Sequence, residues 1–405
     1  MANTLLTPTA VTREALRILH QKLTFVGAIN RQYDDSFAKT GAKIGDSLKI
    51  RLPNQYTVRT GKTLNAQDTT ESSVTLQVAT QKGVDMNFST ADMTLSLDDF
   101  SKRILEPAMA VLAANIEADA ISMYKDIYQE VSDVGATTSL AAVLNASKRL
   151  SLALAPSDGR CLLLSEKSNV DLVSANSTLY NDRAKISEQY RKGFIGNEFF
   201  GFDDAYKSTH LPIHTTGTEA GADTGANVNG ANQTGASVTV NGTVTGTFKK
   251  GDIISFAGCY DVHPETKSAY SHLKQFVVTS DVDTGYSSIP ISPSIVTSGA
   301  TQNCSASPTN TGEVWKVESD DTTAIAGSAD YQIDLAFHKD AFAFATADLI
   351  MPKGVDFAAR EVYDGISIRI VRQYDINNDN MPCRLDVLYG YKTIRPELAC
   401  RIGFN

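Results

Sequence analysis

The chain has 405 residues, 42% hydrophobic and 20% charged, which is room for roughly two or three domains with filled cores. A net charge of −9 and a pI near 5.2 argue against a protein that coats nucleic acid, since that task needs clustered Lys and Arg. They do not exclude a protein that merely encloses it. The cysteines (Cys161, Cys259, Cys304, Cys383 and Cys400) are odd in number, scattered and without a C-x-x-C pair. This disfavours zinc ribbons and disulfide frameworks and points to free thiols in a reducing cytoplasm.

Met1-Ala2-Asn3-Thr4-Leu5-Leu6 has no basic region followed by an apolar core. No apolar run approaches the ~20 residues needed to span a bilayer, so a soluble, unexported chain without a membrane partner is expected. Leu16, Leu19, Leu23 and Val26 recur at helical spacing and predict an amphipathic helix over residues 12–26, with Thr12 as N-cap. It reads equally as a packed terminal helix or as an arm whose apolar stripe, with Arg13 and Arg17 beside it, meets another chain. Leu48, Ile50 and Leu52, then Val74, Leu76 and Val78, alternate with polar residues and predict two half-buried strands. Their polar connection, residues 53–73, is far longer than a hairpin turn. Such a ribbon is barely stable alone and must lie on some other surface.

Asp98 and Asp99 open the strongest helical pattern, with Ile104, Ala108, Val111, Leu112, Ile116, Ala120, Met123 and Ile127 on one face. It predicts a helix over residues 98–131, kinked or restarted at Pro107. Residues 140–201 alternate helix and strand: a helix over 140–154, a strand over 161–164 and a short helix over 170–175. Composition then changes abruptly. Residues 216–247 are almost wholly Thr, Gly, Ala, Asn and Val, followed by the run Phe248-Lys249-Lys250-Gly251-Asp252-Ile253-Ile254-Ser255-Phe256-Ala257-Gly258. Further strands are predicted over 274–279 and 315–318, and Val238, Val240, Ile253, Phe256, Phe276 and Val278 offer a separate core. The earlier character returns near Ser328, with strands through Tyr331–Phe337, Ile366–Ile370 and Arg384–Leu388. A chain that leaves one fold, builds a β module and returns carries an inserted domain, which is tolerated where two ends already lie close.

Catalytic signals fail on inspection. Gly61-Lys62-Thr63 ends like a phosphate loop, but Tyr56 stands where the motif needs Gly. His210 and His214 are four apart, but Leu211-Pro212-Ile213 breaks any helix between them. No G-x-S-x-G elbow is present. The acid pairs Asp34-Asp35, Asp203-Asp204 and Asp320-Asp321 fall at expected turns. No catalytic, cofactor-binding or metal-binding residue is therefore assigned, and no cofactor is expected.

Gly201-Phe202-Asp203-Asp204, Ser208, Leu211-Pro212 and Thr215, followed by the 248–258 run, resemble the coat proteins of the short-tailed phage P22 group. Tyr389-Gly390 with Arg395-Pro396-Glu397 is similar to that family's ending, and Leu335-Ala336-Phe337-His338-Lys339-Asp340-Ala341-Phe342 resembles a segment common among phage capsid proteins. The resemblance implies an α+β, HK97-type capsid fold. Its parts would be an N-terminal arm (1–46), an E-loop ribbon (47–90), a peripheral-domain spine helix (91–137), a first part of an α/β axial domain (138–214), an inserted β-barrel domain (215–327) and a return of the axial and peripheral domains (328–405). The family's charged intercapsomer loop would fall near 217–234, where Glu219 and Asp223 are the only charges, so a salt-bridged contact is not expected there.

The function implied is that of a major capsid protein of a tailed double-stranded DNA phage, not an enzyme. Its partners would be copies of itself in hexamers and pentamers, a scaffolding protein during assembly and a portal protein. Enclosed double-stranded DNA would be held without sequence-specific binding. The chain would be made in the host cytoplasm and end in the virion capsid. A Thr/Gly/Asn-rich β adhesin or glycan-binding protein is the alternative reading, opposed by the missing signal segment and the long helix; a hydrolase lacks any nucleophile and base.

Overall fold

A computed structural model of the chain describes residues 8–31, 47–64, 66–68, 71–89, 105–175, 201–219, 226–242, 245–316, 325, 327–363, 366–376 and 380–405. In chain order its helices are α1 (Pro8–Lys22), α2 (Phe25–Ala28), α3 (Glu106–Ile121), α4 (Leu140–Leu152) and α5 (Glu166–Ala175). Its strands are β1 (Ser47–Arg51), β2 (Ser73–Gln77), β3 (Thr80–Ser89), β4 (Glu130–Asp133), β5 (Arg160–Leu164), β6 (Asp204–Lys207) and β7 (Ile213–Thr215). They continue with β8 (Ala226–Val228), β9 (Gly235–Gly242), β10 (Ile253–Val262), β11 (Ala269–Val278), β12 (Ser288–Ile295), β13 (Val314–Lys316) and β14 (Asp330–His338). The last are β15 (Phe342–Ala347), β16 (Phe357–Tyr363), β17 (Ile366–Arg372), β18 (Asn380–Thr393) and β19 (Ala399–Phe404). Sheet outweighs helix among the described residues, which form two compact units.

The first unit takes in Met1–Arg51, Ser73–Ile121 and Phe342–Ile394. Its sheet runs β16-β17-β18, with β15 and β3 also paired to β18. The expected ribbon is present as β1 and β2, antiparallel with Leu48 opposite Leu76 and Ile50 opposite Val74. Its outer limit needs correction. β3 leaves the ribbon and joins the sheet, Thr80 opposite Tyr389 through Ser89 opposite Asn380. A strand that finds a full partner in β18 satisfies its backbone there rather than in a two-stranded ribbon.

The terminal helix begins at Pro8, earlier than the spacing suggested. Thr12 is a buried residue inside it and not a cap, whereas proline suits a first turn because its missing N–H has no partner there in any case. Of the two readings left open for α1, the packed helix holds in the single chain. Ala15, Leu16 and Leu19 are buried, and α1 lies on α3, β16 and β17. Within the chain, Arg13 lies 3.6 Å from Glu361 and Arg17 pairs with Glu14 at 2.6 Å, and both arginines stay more than half exposed.

The long helix is shorter than its pattern. Described helix starts at Glu106; Asp98, Asp99 and Ile104 lie outside the described residues. Pro107 stands in its first turn, where it starts rather than kinks a helix. After Ile121 the chain tightens into a 3-10 turn (Ser122–Asp126) and then enters β4, so Val131 is a strand residue. Ile116, Ala120, Met123 and Ile127 are buried throughout, because one apolar spacing serves helix, turn and strand in succession. Val111, expected on the buried face, is 59% exposed.

The second unit takes in Leu52–Ser72, Ser122–Ala341 and Arg395–Asn405. Its central sheet runs β4-β19-β14-β5-β6, with β7 also on β14. β4 with β19 and β5 with β6 are parallel, and the other pairs antiparallel. The predicted helices over 140–154 and 170–175 appear as α4 and α5, and the predicted strand as β5. The Ser139 hydroxyl accepts from the Ala142 N–H at 3.1 Å and caps α4. β19 was not read from the sequence.

Between β7 and β14 lies a further sheet, β13-β10-β11-β12-β9-β8. Its two outer strands also approach one another: Asn227 bridges Glu313, and Val228 exchanges backbone hydrogen bonds with Gly312 at 2.9 Å and Thr311 at 2.8 Å. Val238, Val240, Phe256, Phe276 and Val278 fill its interior with Ile289 and Ile291. Ile253, expected in that core, instead faces out and packs with Val277, Tyr128 and Trp315. The reason is the period-2 alternation of β10, in which Ile254 and Phe256 take the inner face.

Candidate functional site: the stem of the β-rich segment

The β-rich segment leaves and rejoins the central sheet through two adjacent strands. Thr215 at the end of β7 lies opposite Asp330 at the start of β14. The ladder continues outward: Thr216 N–H donates to Ala329 O and Ser328 N–H to Gly217 O, both at 3.0 Å. The connection thus works as a two-stranded stem with short reach.

Around this stem stands a buried polar cluster. Arg401 projects from β19, and Glu130 from β4, its register partner. The two side chains form an ion pair with no exposure of either. The Arg401 guanidinium also donates to the Gly251 carbonyl at 2.8 Å, in the turn that opens β10. Burial opposes its charge, but Glu130 and the neighbouring Tyr331, Tyr124 and Asp252 more than offset this and hold its pKa above the ordinary value. Tyr331 donates to Glu130 at 3.1 Å, and its own phenol is pushed well up by burial and then by the Glu130 charge. The Gln275 amide accepts from the Glu130 N–H at 2.9 Å and donates to the Glu130 carbonyl at 3.0 Å, so β11 is tied to β4.

His214 on β7 continues the cluster. Its Nε2 lies 2.9 Å from Asp252, and its Nδ1 lies 3.2 Å from the Tyr124 hydroxyl. A carboxylate only accepts, so Nε2 carries the proton; in the neutral ring Tyr124 then donates to Nδ1. The other Asp252 oxygen accepts from Gly217 N–H at 3.0 Å and Lys249 N–H at 2.9 Å. Gly251 has φ of +101°, and an added Cβ would meet His214 and Lys125 at 3.1–3.2 Å. The positive φ favours glycine, and a Cβ would in addition press on both side chains. Lys316, also buried, donates to Gly217 O at 2.6 Å and Glu219 O at 2.7 Å. Burial lowers its pKa against the pull of Asp252 and Glu219.

Farther out, Lys274 lies 2.9 Å from Asp261 and 4.8 Å from the Tyr128 ring centroid. Burial raises the Asp261 carboxyl, but Lys274 and His272 win and bring it to about 2. The arrangement fixes the angle between sheet and segment, because each interaction is directional and most are dry.

The tip of the ribbon, residues 52–72, has a different character. Gln67 closes it, accepting from Thr57 N–H at 2.9 Å and donating to Thr57 O at 2.6 Å. Beyond that clasp Val58 is 95% exposed and Leu64 81%, and Tyr56 just before it is 58% exposed. Gly61-Lys62-Thr63 is a bend in this tip and not the start of a helix.

Of the segments singled out in the sequence, the structure brings the 248–258 run and His214 together and leaves His210 in a turn, its N–H on Ser208. Asp203 accepts from Gly159 N–H, while Asp34, Asp35, Asp320 and Asp321 lie outside the described residues. Glu219 is buried, and Asp223 lies outside the described residues. Glu130 and Arg401 escape a reading of the sequence. The available signal is a lone arginine inside the apolar run Ala399-Cys400-Arg401-Ile402-Gly403-Phe404. Among the described residues no three of His, Cys, Asp or Glu are placed to hold a metal, and no helix is long and apolar enough to cross a membrane. All five cysteines are buried and unbridged.

A family model described as "P22 coat protein - gene protein 5" matches residues 9–404. No curated protein sequence matches the chain. Solved structures similar to it include one from Mycobacterium phage Che8, at 13% identity and TM-score 0.46 over 95% of this chain and 91% of that one. The capsid of Ralstonia phage GP4 gives 7% and 0.44 over 93% and 86%. The capsid of cyanophage P-SCSP1u gives 11% and 0.43 over 90% and 84%. With the family model spanning nearly its whole length, the chain belongs to the P22 coat protein family and is the major capsid protein of a tailed phage.

Proposed function

We propose that copies of this chain join as hexamers and pentamers into an icosahedral head of HK97-type subunits that encloses double-stranded DNA. In this reading α1 and α2 are the N-terminal arm, β1 and β2 the E-loop ribbon, and α3 the spine helix. The central sheet of the second unit is the axial domain. The segment between β7 and β14 is an inserted β-barrel, a reading supported by the contact between its outer strands β8 and β13. Heterologous contacts repeated about local axes give rings, and rings close into a shell. No bond is made or broken, and an acidic subunit suits a container whose contents must move. A scaffolding protein and a portal protein complete the assembly, which takes place in the host cytoplasm.

The observation that carries the subunit-joining part is the ribbon tip. Val58, Leu64 and Tyr56 stay exposed on the single chain, and an apolar tip on a two-stranded ribbon gains stability by lying on a neighbour. Electron microscopy of the protein co-expressed with its scaffolding protein tests the proposal. Closed shells with the tip on an adjacent subunit are expected; compact monomers, or a tip that touches only its own chain, would count against it.

A further inference from the structure

Two of the five cysteines meet inside the β-rich segment. Cys259 lies in β10 and Cys304 in the stretch that follows β12, and both are wholly buried in the core that Phe256, Phe276 and Ile291 fill. Backbone pairing brings them there. After β12 the chain turns, with the Asn303 and Cys304 N–H groups donating to Val296 O at 3.0 and 3.1 Å, and then runs along β10 toward β13. Cys304 stands opposite Asp261 of β10, and Ser305 N–H donates to Tyr260 O at 3.0 Å. Cys259 is two residues from Asp261 on the same strand, which makes it the diagonal neighbour of Cys304. Gly258, with φ of +80°, bends β10 at this point, and the two thiols hydrogen-bond to one another.

The other three cysteines are placed apart. Cys161 on β5 is opposite Phe337 of β14, and Cys400 on β19 is opposite Ala336, so these two face opposite sides of the central sheet. Cys383 lies on β18 in the first unit. The stretch that carries Cys304 meets β10 at spaced points rather than as a continuous ladder. Beyond Ser305, Thr309 N–H donates to Ala257 O at 2.9 Å, and Glu313 O accepts from Ala257 N–H at 3.2 Å.

We propose that Cys259 and Cys304 are an oxidisable pair: free thiols under reducing conditions, they join as a disulfide when a small-molecule disulfide is present, and the bond staples the stretch after β12 to β10. The exchange balances. One cysteine thiolate attacks the small disulfide RS–SR and one RS⁻ leaves, giving a mixed disulfide. The thiolate of the other cysteine attacks the protein sulfur of that bond, and the second RS⁻ leaves. The protons lost by the cysteines end on the two released thiols; the protein gives up two electrons and RS–SR takes them. Burial keeps the reaction slow. The thiolate is the nucleophile, and the hydrogen bond with Cys304 and then burial push the Cys259 thiol well up. Reaction therefore waits for the stretch to open locally, and the closed bond holds it shut. A particle outside its host meets oxidising conditions, so the staple would be set after release. That timing rests on the capsid reading; the bond itself does not.

The test uses the full-length subunit, purified with reductant and moved into oxidised glutathione in subdenaturing urea, which lets the stretch open. A mass lower by two hydrogens is expected. Peptide mapping should place the bond between Cys259 and Cys304 and find Cys161, Cys383 and Cys400 free. With glutathione and urea removed, the oxidised protein should melt about 5 °C or more above the reduced one, and dithiothreitol in urea should reverse the gain. Cys304→Ala should form no internal bond and show no gain; where that variant does not fold, mapping of the wild type decides alone. Thiols all still free after oxidation, glutathione held only as a mixed disulfide, a bond between other cysteines, or a bond without a rise in melting temperature would each overturn the proposal. Failure to form shells would overturn only the capsid reading.

Discussion

Arg401 and Glu130 form an ion pair from which solvent is wholly excluded, and the same arginine reaches across to the Gly251 carbonyl. Removing one partner leaves the other charged, dry and unpaired, at a cost of ~3–5 kcal/mol. Glu130→Gln and Arg401→Met should each lower stability by that order in urea titration. The double variant Glu130→Leu/Arg401→Met should recover part of the loss, because two apolar side chains leave no orphan charge. Single variants costing below ~1 kcal/mol would show that the pair carries no structural weight.

The ribbon tip should matter to assembly and not to folding. Val58→Asp and Leu64→Asp place charges on side chains that are already 95% and 81% exposed. Changes at such positions alter subunit stability by about 0.5 kcal/mol or less. Circular dichroism and melting temperature should match wild type, while the yield of particles by sedimentation drops severely. Normal particle yield from both would remove the tip from the intersubunit contact.

Legibility in the sequence followed the physics of each element. β1 and β2 were readable because both alternate cleanly, and α4 and α5 because their apolar spacing stands alone. The end of α3 was not. Met123 and Ile127 keep helical spacing while the backbone turns 3-10 and then extends, since β4 is held by β19, a strand from the far end of the chain. β19 itself does not alternate, since all six of its residues are buried. The stem was half visible: the 248–258 run stood out, but nothing local revealed that Asp252 would meet His214. Charges on separate strands find one another only through the register of the sheet.

A second buried acid predicts how stability changes with pH. Asp334 on β14 accepts from Ser165 N–H at 2.8 Å, and the Ser165 hydroxyl caps α5 by accepting from Ser168 N–H at 3.1 Å. Burial, only partly offset by the hydroxyl and amide of those serines, raises the Asp334 carboxyl to about 7 from 3.8. A raised folded-state value means that the stabilisation is complete below the unfolded value and is lost as pH rises through about 7. Between about pH 4 and about pH 7 the slope approaches ~1.4 kcal/mol per pH unit, and above that range it levels off. Asp334→Asn should flatten the decline in melting temperature between about pH 4.5 and about pH 7 relative to wild type. Parallel curves for the two proteins would place the titration elsewhere.

The β-rich segment should fold alone, less stably than in place. Its interior, from Val238 to Val314, is filled by its own residues. Its base is not self-sufficient: Asp252 loses His214, Gln275 loses Glu130, and Ile253 loses Tyr128. A fragment of residues 216–329 should therefore melt cooperatively, with dispersed strand-type amide spectra, at a lower temperature than the whole subunit. A disordered fragment would show that the stem contacts are needed for folding and not only for orientation.

Truncation on α3 should act on the subunit before it acts on particle formation. Ile116 is 1% exposed on the buried face of α3, whose neighbours along that face are Leu112, Ala113 and Ala120. Ile116→Ala removes buried carbon and leaves a cavity that packed neighbours fill only in part, a loss of ~2–5 kcal/mol. Against a total stability of about 5–15 kcal/mol, that raises the unfolded fraction by more than an order of magnitude. Assembly draws only on folded subunits, so the defect should appear as aggregation at expression and a lowered denaturation midpoint, and as fewer particles of normal form. Val111→Ala on the same helix is the control: at 59% exposed it lies on the opposite side and should be silent in both measurements. If Val111→Ala were the damaging change and Ile116→Ala the silent one, α3 would have to bury its other face.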